Sequence, residues 1–63
     1  MTIAELDVVK LQDGREGTVV HVYPEDKAFE IEFLDPEGYT DSLETVTLSQ
    51  IEAVIDRPEK QVA

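Results

Sequence analysis

The sequence predicts an all-β protein: five short strands forming a small closed or nearly closed barrel, with one short helical turn before the last strand. Three observations lead there. Phe29, Ile31 and Phe33 alternate with Glu30 and Glu32, the period-2 pattern of a strand with one wet face. Turn residues (Asp-Gly at 13–14, Pro24, Asp35-Pro36 and Gly38) interrupt the chain between short runs of strand-like composition. No window carries apolar residues at a 3.6 period for long enough to make a stable helix.

Taken in order, Leu6 to Leu11 (LDVVKL) has the β-branched content of a first strand. Gln12 to Gly17 follows as a turn, and Thr18 to Tyr23 is the densest β-forming run in the chain. Pro24 ends that run, because proline cannot donate to a central ladder. Ala28 to Leu34 is the alternating third strand, and Asp35-Pro36-Glu37-Gly38 turns it back. Leu43 to Leu48 reads as a weaker fourth strand, and Ser49-Gln50-Ile51 as a single helical turn begun by a serine cap. Glu52 to Ile55 forms the closing strand. Residues 1–56 therefore make one domain, and residues 57–63, with Pro58, a flexible tail. The expected core is Leu6, Val9, Leu11, Val20, Val22, Phe29, Ile31, Phe33, Leu43, Val46, Leu48, Ile51 and Val54. A bulge after Gly17 would exchange Val19 for Val20. Barrel closure would also remove the exposed strand edges of a lone sheet.

Gly14 and Gly17 raise the question of a ligand-cradling loop. A phosphate loop places its glycines between a strand and a helix, so that backbone amides meet the anion. Here Thr18-Val19-Val20 continues as strand, and Asp13 and Glu16 oppose any phosphate with like charge. The glycines are read as turn and strand-entry residues.

Composition narrows the function classes. Sixty-three residues make a small core with little room for a deep cleft. There is no cysteine, so neither disulfides nor a thiolate zinc site can staple the fold. The N-terminus, MTIAELDVV, carries acids where a secretory leader needs basic residues, and no apolar run approaches a membrane span. A soluble cytoplasmic protein is expected. Fifteen acidic residues against five basic give a formal net charge of −10. Such a surface repels nucleic-acid phosphates and anionic membranes, which leaves basic proteins or cations as partners.

No catalytic constellation is visible. His21 is the sole histidine and lies in a strand, with no nucleophile or orienting acid beside it in the pattern. Asp35, Glu37 and Asp41 lie in one loop, DPEGYTD, but lack the ligand order of a calcium loop. A non-enzymatic protein with neither metal nor cofactor is expected. The functional reading is an acidic, protein-binding face. Glu30, Glu32 and Glu44 supply steering charge, and Tyr23 and Tyr39 supply contact aromatics. Homodimerisation is compatible with the sequence.

ELDVVKL, DGREGTVVHVY, FEIEFLD and TLSQIEAV together resemble the domain-of-unknown-function 4926 family of small bacterial proteins, over Glu5 to Val54. GTVVHV before an alternating strand is also similar in topology to the SH3-like barrels of photosystem I reaction-centre subunit IV and the nitrile hydratase beta subunit. The family resemblance implies an SH3-like barrel and transfers no catalytic residue. Its functional implication is a protein-binding accessory role. The net charge of −10 motivates the sharper expectation, a protein of the antitoxin or immunity kind that would block a basic nuclease by occupying the place of nucleic acid. The alternative is an accessory or regulatory subunit docking on a larger metabolic or redox enzyme.

Overall fold

The computed structural model describes residues 2–58. Its strands are β1 (Val8–Leu11), β2 (Glu16–Val22), β3 (Phe29–Leu34), β4 (Thr40–Val46) and β5 (Ile51–Asp56). A short 3-10 turn, Pro24–Asp26, joins β2 to β3, and another, Leu48–Gln50, stands before β5. The strands form one antiparallel sheet in the order β4-β3-β2-β1-β5. The fold is therefore all-β, with five strands and a helical turn before the last, compatible with a small SH3-like barrel. The expected closure is not made by hydrogen bonds: β4 and β5 do not pair and remain the two edges. The chain passes from one edge to the other through Thr47–Gln50 alone, so the sheet curls enough to bring the end of β4 near the start of β5.

Burial follows the pleat. Ile3, Val9, Leu11, Val19, Phe29, Ile31, Phe33, Val46 and Ile51 form the core, with Val22 and Val54 packed against it. Burying each such side chain stabilises the fold by about 1.5–3 kcal/mol. Gly17 faces Val9 on this inner side. A Cβ there would lie 2.5 Å from Ile31 Cγ2 and 2.9 Å from the Glu32 carbonyl oxygen. Gly17 is thus a packing glycine, whereas Gly14, at φ +96°, serves the β1–β2 turn.

Four expected core residues lie outside. Val20 is 37% exposed and Val19 fully buried, because the β2–β3 register shifts between Val19 and His21 and leaves Val20 as a bulge. Leu43 pairs with Glu32 and shares its outer face. Leu48 sits exposed on the 3-10 turn. Leu6 is 60% exposed at φ 75°, in a turn closed by the Asp7 N–H donating to the Ala4 carbonyl. A leucine in the left-handed region is strained, and here the Leu6 N–H donates to Val19 O at 2.7 Å and Val19 N–H to Asp7 O at 2.9 Å, bonds that hold it in place. That turn carries Ile3 back into the core, a contact with no periodic signal in the sequence.

Boundaries moved as well. β1 starts at Val8 because Leu6 and Asp7 belong to the preceding turn and its exit, and β4 starts at Thr40 because the hairpin continues pairing with β3 almost to its tip. The turn before β5 is capped by Thr47 rather than Ser49: Gln50 Oε1 accepts the Thr47 N–H at 2.9 Å. Of the segment expected as a tail, Arg57 is tied to Asp7, and residues 59–63 lie outside the described residues.

Candidate partner-binding face

Alternation along β3 turns Phe29, Ile31 and Phe33 inward and Glu30 and Glu32 outward, where both stay half-buried among their cross-strand neighbours. The register sets Thr18, Glu32 and Leu43 in one row of the outer face and His21, Glu30 and Thr45 in the next. Side-chain hydrogen bonds then engage both carboxylates. Glu30 Oε1 accepts the Thr45 hydroxyl at 2.6 Å and the Tyr23 hydroxyl at 3.3 Å. The Thr40 hydroxyl donates to Glu32 Oε2. His21 meets the Tyr23 ring edge-on, with centroids 4.6 Å apart. Tyr23, Glu30 and Glu32 are thus brought onto one surface, with Thr40, Thr45 and His21 as neighbours that local sequence spacing does not reveal.

The structure does not place Glu44 with them. It pairs with Ile31, so its side chain leaves β4 on the inner side, at the sheet's open edge. There Arg15, from the β1–β2 loop, donates from Nη1 to Glu44 Oε2 at 2.6 Å and from Nη2 to Oε1 at 3.1 Å. Its Nε donates to Asp13 Oδ2 at 2.9 Å, and its guanidinium lies 4.5 Å from the centre of the Phe33 ring. The Arg15 hydrogen bond holds the Glu44 carboxyl below its ordinary range. The Arg15 backbone N–H, then its side chain, do the same for Asp13. Both carboxylates in turn push the guanidinium of Arg15 up. Through Arg15 this cluster lies over the ring of Phe33, a core residue.

Tyr39 is 70% exposed at the tip of the β3–β4 hairpin, apart from the Tyr23 cluster. Below it Asp35 Oδ1 accepts the N–H groups of Glu37 and Tyr39 at 2.9 and 3.0 Å. Asp35 is thereby a turn organiser. Among the described residues no group of three or more histidine and acidic side chains is placed to hold a metal ion. A depression of about 190 Å³ beside Leu11, Gln12 and Gln50 is smaller than the roughly 300–1,000 Å³ of small-molecule sites. No helix among the described residues is long and apolar enough to cross a membrane.

Chemically, the outer face offers two aligned carboxylates already accepting hydroxyl hydrogen bonds, an aromatic at one margin, and no basic residue on either β3 or β4. That arrangement can attract and orient cationic side chains. The profile of one protein family, a domain of unknown function (DUF4926), matches residues 2–53. No curated protein and no solved structure matches the chain.

Proposed function

Because the chain belongs to the DUF4926 family, whose function is unknown, we propose from the face itself that it is a non-enzymatic module that binds a basic partner protein. The observation that carries this reading is the convergence of Tyr23 with Glu30 and Glu32 of β3 on one surface, where β3 and β4 carry no Lys or Arg, in a chain of net charge −10. Potential of one sign over a sheet face steers an oppositely charged protein and fixes its orientation. An antitoxin-like or immunity-like protein, masking the nucleic-acid site of a basic toxin, is the specific form of this role. It predicts inhibition of a basic protein encoded beside it.

The test is an affinity capture from native lysate at low and moderate salt, repeated with Glu30→Gln/Glu32→Gln. A basic partner is expected, released as salt rises, and the double variant should weaken its binding by about three- to tenfold. Capture that ignores both salt and the substitutions would overturn the acidic-face reading and favour an accessory subunit docked through apolar contacts.

A further inference from the structure

We propose that the free edge of β4 takes up an extended segment of a basic partner as a sixth strand, with main-chain hydrogen bonds supplying the docking and Glu30 and Glu32 supplying the charge preference. This rests on the acidic-face reading above and names how the partner is held.

The two edges of the sheet are not equivalent. β5 is irregular along its pairing with β1, with register shifts that leave Glu52 and Ile55 as bulges. Bulges of this kind twist an edge away from incoming strands. β4 carries its irregularity at Asp41, near the hairpin tip, and pairs regularly with β3 from Ser42 to Val46. Alternate residues in that stretch turn their N–H and C=O groups away from β3. Among the described residues those groups make no further backbone hydrogen bond. They form a ladder of donors and acceptors without blunting by proline or lysine.

The side chains beside this edge specify the occupant. On the outer face the new strand would lie next to Leu43, 54% exposed, and Thr45. Glu32 and Glu30 stand one strand further in, about 10 Å from the added strand, within reach of Lys or Arg. The segment that fits alternates apolar or β-branched residues with basic ones. A second copy of this chain fits poorly, because pairing β4 with β4 would bring Asp41 and Glu44 of both copies onto one seam between chains already at −10.

The probe is an acetylated, amidated octapeptide alternating lysine and valine, compared with the same peptide N-methylated at every backbone amide. Binding is read by titration, and β4 amides by hydrogen exchange. The expected result is protection of alternate amides between Ser42 and Val46 and about a tenfold or greater loss of affinity on methylation. Equal binding of both peptides would overturn the strand-addition mode while leaving charge recognition by Glu30 and Glu32 standing. No binding, protection at β5 instead, or β4 amides already protected by dimerisation of the free protein would each overturn it too.

Discussion

Two arginines each clasp a carboxylate far away in the chain through two guanidinium nitrogens, one at the end of β5 and one in the β1–β2 loop. Arg57 donates from Nε to Asp7 Oδ1 at 3.0 Å and from Nη2 to Oδ2 at 2.9 Å, and also to the Thr2 carbonyl oxygen. Asp7 is 1% exposed and accepts the Ala4 N–H as well. Arg15 holds Glu44 and Asp13 with similar geometry, but those partners are roughly half in water. The difference lies in the carboxylate's surroundings. A buried carboxylate stripped of its partners has no water to turn to, whereas an exposed one rehydrates at little cost. The Asp7 clasp is therefore a lock for the N-terminal arm and β5. The Arg15 clasp is a lid that covers Phe33.

The sharpest way to break that comparison is Asp7→Asn. It puts an amide NH₂ where two cationic or N–H donors converge, and should cost about 2–4 kcal/mol in chemical denaturation. For a domain of this size that is a large share of the total stability. If the loss were no greater than that of an exposed pair, the lock would be no different from the lid.

Next in size is Arg15. Arg15→Ala should lower the melting temperature by well under the Asp7→Asn change, through the uncovered Phe33 ring more than through lost charge. Arg15→Lys separates the two causes, because lysine keeps the charge without the fork or the planar stack. The lysine variant should recover only part of the loss, and full recovery would reduce the lid to a simple charge effect.

The smallest expected effect is on pH dependence. Glu44 and Asp13 have folded-state pKa values below their ordinary 4.5 and 3.8. Their contribution is thus fully present above the ordinary carboxylate range and is lost as pH falls through the folded values. Stability measured from about pH 6 to about pH 3 should decline, and Glu44→Gln should make that decline shallower. An unchanged acid limb in Glu44→Gln would show that Arg15 does not hold that carboxylate in solution.

The alternation of β3, the turn residues and the five-strand order of elements are local properties. The pleat repeats every two residues and the turns need particular backbone angles, so FEIEFL and DPEG declare themselves without reference to the rest of the chain. The outward placement of Glu30 and Glu32 follows from the same period, which is why that part of the candidate face was legible. What the sequence by itself could not decide is which residues meet across the sheet. A single bulge exchanges Val19 for Val20, and the register of β4 sends Glu44 to the inner side and Leu43 to the outer. Asp7 finds Arg57 fifty residues away, Gly17 is required by the Ile31 and Phe33 side chains above it, and β4 is left as a regular free edge while β5 is bulged. These outcomes belong to tertiary structure because alternation says only that successive side chains take opposite faces, while which face each takes and what it meets there are set by packing the whole sheet around one core.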